Sequence, residues 1–101
     1  MPSGQSRDFL NPGMPRRSKN AIFTFATTHQ AMAAEDLLRE AGIGLEVVPP
    51  PRELSPGCGL ALRVLLRDVA AARLALTSRG AVWDAVYELG PAQEVVKKLG
   101  W

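Results

Sequence analysis

The chain has 101 residues, of which 47% are apolar and 22% are charged, as in an ordinary soluble globular domain. This composition excludes a disordered, collagen-like or membrane-spanning protein for most of the chain. The formal net charge is +2, but residues 1–20 hold four basic residues against one acidic residue, so the remainder is close to neutral. We therefore expect neither nucleic acid nor a membrane as a partner.

Residues 1–20 are predicted to form a disordered basic leader, because they hold too few large apolar side chains to pack. The pair Arg16-Arg17 is similar to a twin-arginine export signal. The apolar run behind it is too short for the core of a signal peptide, so export is not expected. The single cysteine excludes an intrachain disulfide, and a reducing cytoplasm is the predicted location.

The first predicted elements are a strand over 21–26 and a helix behind it. Phe23 and Phe25 share one face of the strand. Thr27 and Gln30 have capping-box spacing, apolar residues then recur with helical periodicity, and Gly42 is suited to end the helix.

Two more strands are predicted on either side of a proline-rich segment. Apolar residues alternate over 43–48 until the prolines at 49–51 end the strand, because proline cannot donate to a sheet ladder. The same alternation over 60–65 predicts a third strand.

The C-terminal third is predicted to hold a helix and a strand. Asp68 is the expected cap of the helix and Gly80 its end. Residues 82–89 read as a fourth strand whose buried face the pattern leaves open. Residues 90–101 are a C-terminal extension, with a short helix expected around 93–99.

The order β-α-β-β-α-β over 21–89 predicts an α+β domain of the ferredoxin-like split βαβ type, with an antiparallel sheet and two helices on one face. Strands one and three then lie side by side at the centre. The other face is expected to be bare, and it is either a homodimer contact or solvated. Its predicted members, with a possible ion pair from Glu46 to Arg63, are Thr24, Glu46, Val48, Ala61, Arg63 and Leu65.

The segment from Pro49 to Gly59 is the candidate for chemistry. Proline stiffens its start, and glycine makes the part around Cys58 permissive. The predicted topology brings this segment and the start of the first helix, Thr27 to His29, to the same end of the sheet. A helix N-terminus favours anions and lowers the pKa of a nearby thiol, with Arg52 and Arg63 acting in the same direction.

The alternative for Cys58 is a buried, unreactive filler. His29 is then an ordinary surface residue. One cysteine with one histidine makes a poor metal site, so no metal and no cofactor is predicted. The sequence shows no carboxylate pair, nucleotide-binding glycine loop or Ser-His-Asp pattern that would indicate a hydrolase or a kinase.

Several motifs are similar to those of the selenium/sulfur carrier-like family, a group of small bacterial domains. The matching runs are residues 23–31, Ala34-Glu35 with Leu37-Leu38, Pro51-Arg52-Glu53-Leu54-Ser55, residues 58–63 and Tyr87-Glu88-Leu89. Pro56-Gly57 departs from the small polar residues expected before the cysteine, and the leader and the tail lie outside the pattern.

The resemblance implies a cysteine that transiently holds sulfur or selenium as a persulfide or selenosulfide. Positions that match the family are Arg52, Ser55, Cys58, Gly59 and Arg63, with Thr28 and His29 from the helix start. In the leading hypothesis Cys58 exchanges a chalcogen with donor and acceptor proteins, Arg52 stabilises the anions, His29 assists proton transfer, and Gly57 and Gly59 give access. Such a protein is a carrier or accessory protein more than a stand-alone enzyme. The competing hypothesis is an interaction or sensing module that uses the open sheet face.

Overall fold

The structure is a computed structural model that describes residues 19–54 and 59–100. The predicted leader, apart from its last two residues, lies outside the described part of the chain. The elements in chain order are β1 (Asn20–Thr24), α1 (Thr28–Glu40), β2 (Leu45–Val48), β3 (Ala61–Leu65), a 3-10 turn (Leu66–Asp68), α2 (Val69–Ser78), β4 (Ala85–Leu89) and β5 (Val95–Leu99).

The five strands form one antiparallel sheet in the order β2-β3-β1-β4-β5. The predicted α+β class is therefore confirmed, and β1 lies beside β3 as expected. The four-stranded ferredoxin-like plan is not matched as predicted, because a fifth strand pairs with β4 and occupies an edge of the sheet.

The short helix predicted around 93–99 is wrong, because these residues form β5 and the turn that leads into it. Gln93 N–H donates to the carbonyl of Gly90 (2.9 Å), and Gly90 N–H donates to the carbonyl of Glu94 (2.8 Å). A helix of this length is marginal in water, whereas an extended segment satisfies its backbone groups against β4.

The first helix has the predicted ends. Thr27 Oγ1 accepts a hydrogen bond from Gln30 N–H (3.1 Å), and Gly42 follows the helix with φ = 76°. The second helix differs at its start, because Asp68 makes no side-chain cap hydrogen bond. Asp68 belongs to the 3-10 turn and has φ = −95° and ψ = 0°, so it lacks the extended backbone of a capping residue.

The fourth strand begins three residues later than the sequence predicts, at Ala85 rather than at Val82. The residues before it still contact β1. Asp84 N–H donates to the carbonyl of Thr24 (2.7 Å), and Trp83 packs edge-on against Phe23 with ring centroids 5.7 Å apart and an angle of 78°. Residues 83 and 84 are therefore held to β1 by one backbone hydrogen bond and one aromatic contact, without forming part of the strand.

One face of the sheet forms the main core with both helices. The cross-strand register puts Ala21, Val64 and Leu45 in one row of this face and Phe23, Leu62 and Val86 in the next. The helix residues buried against these rows are Ala31, Ala34, Leu38, Val69, Ala72 and Leu76. Fully burying a large apolar side chain stabilises by about 1.5–3 kcal/mol, so this layer holds the helices to the sheet.

The opposite face carries all six residues predicted for it, but it is not bare. The register aligns Thr24 with Ala61 and Val48, and Arg63 with Glu46 and Ile22. Thr24, Ala61, Leu65 and Ile22 are at most 2% exposed. The expectation of a bare face is therefore wrong for these side chains, whereas the homodimer contact expected on this face stays a prediction.

Two hydrogen bonds reach across this second face from neighbouring chain segments. Gln93 Oε1 accepts from Arg63 (2.6 Å), and Glu53 Oε2 accepts from Val95 N–H (3.3 Å). Because β1 and β4 lie between β3 and β5, the turn that precedes β5 folds back over the sheet to reach Arg63. Within the described ranges, neither helix is long and apolar enough to cross a membrane.

Asn20 provides a test of this buried face. Its side chain is 4% exposed, its Oδ1 atom has no hydrogen-bond partner, and its cross-strand neighbours are Leu65 and Leu89. A buried amide oxygen without a partner is unfavourable, so Asn20→Val is expected to raise the free energy of unfolding by about 1 kcal/mol in urea titration. A lower stability would show that the oxygen is satisfied.

Candidate functional site

The segment that contains the cysteine joins β2 to β3 at the end of the sheet where α1 begins. Val48, the last residue of β2, is aligned with Ala61, the first residue of β3, and Ala61 is aligned with Thr24, the last residue of β1. The predicted convergence of the β1–α1 junction and this segment is therefore confirmed for their described ends. Cys58, with Ser55 and Gly57, lies outside the described residues.

The first half of the segment is a turn anchored to the opposite edge of the sheet. Leu54 N–H donates to the carbonyl of Pro51 (3.1 Å), which closes the turn around Arg52 and Glu53. Arg52 and Glu53 are both exposed, and the carboxylate of Glu53 also accepts the hydrogen bond from Val95 N–H. The turn therefore presents both charges to solvent and is joined to β5 through Glu53.

The residue after the cysteine, Gly59, is exposed and has space around it. A Cβ atom built on it would meet nothing within 4 Å, and its backbone is not in the left-handed region. The described surroundings therefore do not require glycine at this position, in contrast to Gly42 and Gly80, which have positive φ.

The start of α1 presents two of the predicted site residues. Thr28 and His29 are both exposed in the first turn, which contains no acidic residue. The positive end of the helix dipole is therefore not offset by a carboxylate within this turn. An anion at this end of the sheet would gain from that partial charge.

Arg63 lies on the sheet face where the sequence places it, but it does not lie beside the start of α1, where it was also expected to act on the thiol. It is ion-paired with Glu46, as expected from their alignment, and it also donates to Gln93. Its row lies on the face away from the helices, whereas α1 packs on the other face. The sheet therefore separates Arg63 from Thr28 and His29, and these three predicted site residues do not form one cluster.

Sequence reasoning missed the two residues that contact this region from β5 and its turn, Gln93 and Val95. The signals were present. Gly90-Pro91 is a typical turn dipeptide, and Val95-Val96 is β-branched and favours a strand. Across residues 19–54 and 59–100 there is no group of three or more potential metal ligands of the His, Cys, Asp or Glu type.

The ion pair between Arg63 and Glu46 is testable against an exposed pair. Their side chains are 24% and 29% exposed, so Arg63→Met leaves a half-buried carboxylate and is expected to cost about 2 kcal/mol of unfolding free energy. Breaking the exposed pair of Arg79 and Glu40 with Arg79→Met should cost less than about 0.5 kcal/mol. Equal losses in urea denaturation would contradict a structural role specific to Arg63.

Comparison with known proteins identifies the family. No curated protein and no solved structure matches this chain. A family model described as "Putative Se/S carrier protein-like" matches residues 20–88, from the first residue of β1 to the penultimate residue of β4. The match includes α1, the cysteine-containing segment and the central strands, and it ends before β5. The chain therefore belongs to the Se/S carrier-like family.

Proposed function

We propose that this chain carries sulfur or selenium on Cys58, as a persulfide or a selenosulfide, between a donor and an acceptor protein. The observation that carries the proposal is that a chain of the Se/S carrier-like family contains one cysteine. A covalently held chalcogen needs a thiolate, and a methionine thioether cannot form a persulfide. Covalent carriage by this chain therefore requires Cys58.

The transfer is an exchange that needs no external oxidant or reductant. The Cys58 thiolate attacks the outer sulfur of a donor persulfide, a new S–S bond forms at Cys58, and the donor leaves as a thiolate. An acceptor thiolate then attacks the outer sulfur of the Cys58 persulfide. A new S–S bond forms at the acceptor, and Cys58 leaves as a thiolate. For selenium, the outer atom is selenium, and an S–Se bond breaks in the donor as another forms at Cys58.

The described neighbourhood supports an anionic sulfur at this end of the sheet. The N-terminus of α1 lies there, without an acidic residue in its first turn, and Arg52 is exposed on the same segment as Cys58. We expect these positive groups to hold the pKa of the Cys58 thiol below its free value of about 8.5. His29, exposed in the first turn of α1, is the proposed proton donor and acceptor during exchange.

The same features favour a carrier over a stand-alone enzyme. Arg52 and Glu53 before the cysteine and Gly59 directly after it are exposed, which suits a thiol that exchanges with another protein. Gly57 and Gly59 keep bulky side chains away from an approaching sulfur atom. The competing hypothesis is an interaction module that binds through an open sheet face. The burial of Ile22 and Leu65 leaves less exposed apolar surface on that face for such binding.

Labelling from a sulfur donor tests the proposal. The protein is incubated with a cysteine desulfurase and labelled cysteine, and the modified peptide is identified by mass spectrometry without reduction. We expect one added sulfur atom on Cys58, removed by thiol reductants, and no label on Cys58→Ser. Selenodiglutathione serves as the selenium probe, because thiolate attack on it leaves an S–Se adduct on Cys58 and releases glutathione.

The control for the electrostatic part is an arginine elsewhere on the surface. Arg52→Gln should raise the pKa of Cys58 measured by the pH dependence of alkylation, whereas Arg67→Gln, exposed in the 3-10 turn, should leave it unchanged. A wild-type protein that takes no label from either donor, with a thiol pKa at or above about 8.5, would refute the carrier function.

A further inference from the structure

The helix layer carries an exposed leucine on the side that faces away from the sheet. Leu74, in the middle of α2, is 71% exposed and is the most exposed of the large apolar side chains in the part of the chain that the structure describes. A single exposed leucine is ordinary on a protein surface, so its surroundings decide whether it has a role.

Leu74 stands between two hollows in this surface. On one side lies a groove between the two helices, called here the helix groove. It is lined mainly by apolar side chains from both helices, which are Leu37, Ala41, Ala71 and Ala75. On the other side of Leu74, a second hollow is lined by Ala70, Arg73 and Thr77. The surface therefore has a protruding apolar side chain directly beside an apolar groove.

A protrusion beside a groove makes this surface complementary to a second copy of itself. Around a two-fold axis, a contact from residue i to residue j is always matched by the contact from j to i. An axis close to Leu74 lets the leucine of each copy enter the helix groove of the other. The residues one turn away from Leu74 along α2 are all small, so two copies of this helix can approach closely: Ala70, Ala71, Thr77 and Ser78.

The charges on the two helices also favour a second copy as the partner. With its two capping residues and a neutral histidine, α1 holds three acidic residues against one basic residue, a net charge of −2. With its capping residues, α2 holds two arginines against one aspartate, a net charge of +1. A partner of one charge sign would be attracted by one helix and repelled by the other. A second copy can place each α1 against an α2 of opposite sign.

We propose that the outer face of the helix layer is the interface of a homodimer, in which Leu74 of each copy packs into the helix groove of the other and α1 of each copy lies against α2 of its partner. This interface lies on the helix side of the sheet, whereas Ile22, Arg63 and their row lie on the opposite side. The dimer is independent of the proposed function, because it uses neither Cys58 nor the start of α1.

The size of the face sets the expected affinity. At 1.5 Å per residue, α1 and α2 are about 20 Å and about 15 Å long, and two helices side by side are about 20 Å wide. Such a face is smaller than the roughly 800 Å² per partner of a standard interface, so the dimer should be weak and in equilibrium with the monomer. We expect a dissociation constant of about 1 μM to about 100 μM.

Sedimentation equilibrium of the full chain measures this constant. Leu74→Gln removes the leucine contact twice in each dimer and should weaken the dimer at least about thirtyfold. The urea midpoint of the monomer should stay close to that of the wild type, because Leu74 is largely exposed. Val96→Gln is the matched control, since Val96 is 54% exposed on β5, and it should change the constant by less than about twofold.

A charge reversal tests the pairing of α1 with α2 of the partner. Arg79 lines the helix groove and is 61% exposed, so Arg79→Glu turns the positive end of α2 acidic, like the α1 that it faces. We expect the dimer to weaken at least about fivefold. Lys98→Glu makes the same change in net charge on β5 and should stay within about twofold of the wild type. Equal effects of the two reversals would contradict the arrangement of the helices.

Amide chemical shifts locate the contact. As the protein concentration rises, signals from α1 and α2 should move, whereas signals from β2 and β5 should not. A chain that remains monomeric up to about 1 mM, or a dimer that Leu74→Gln leaves intact, would overturn the proposal. Shifts confined to the row of Arg63 would indicate a dimer through the sheet face and would overturn it as well. These measurements need no sulfur donor, so their outcome is separate from that of the carrier function.

Discussion

The burial of β1 on both faces is the constraint on which the remaining structure depends. Each of its five residues is at most 4% exposed, and the strand pairs with β3 on one side and β4 on the other. A strand buried in this way needs a layer of side chains above and below the sheet. A domain of this size is only marginally stable, so it must bury the apolar surface on both faces of the strand. Both helices form the first layer, through Phe23 and its neighbours. On the other side, Ile22 packs with Ala61 and Leu89 in a second cluster, against which Val48, Tyr87 and Val95 lie partly buried.

The second layer relates the fold to function. A segment that only joined two strands would be a surface loop, free to vary. Here Glu53, in the turn that follows β2, accepts a hydrogen bond from Val95 of β5. Arg63, within β3, donates to Gln93 in the turn before β5. The hairpin of β4 and β5 is thus joined both to the turn that follows β2 and to β3. The ends of β1 and β3 meanwhile keep this segment at the same end of the sheet as the start of α1, where an anion is favoured.

Membership of the Se/S carrier-like family relates this fold to sulfur and selenium chemistry. The matched residues end within β4, so the family domain accounts for the helices, the central strands and the cysteine-containing segment. The hairpin that contacts the segment is outside it. Arg52 and Gly59, which lie before and after the cysteine in the chain, are both exposed.

The sequence by itself determined the local structure and the α+β class, because capping, periodicity and glycine position are local properties. Thr27 caps the start of α1, and Gly42 and Gly80 follow the ends of the two helices, as predicted. The pairing of Glu46 with Arg63 was predicted from the alternation of residues along two adjacent strands. Only the tertiary structure decided the rest. Residues 95–99 became a strand because the free edge of β4 satisfied their backbone groups. The β-branched Val95-Val96 favours a strand locally, but it does not tell which edge that strand joins. Arg63 was separated from the helix start because the sheet lies between them, and Gln93 accepted a strained backbone because its partner is thirty residues away in the chain. Contacts between distant segments depend on how layers pack, and that information is absent from any single stretch of sequence.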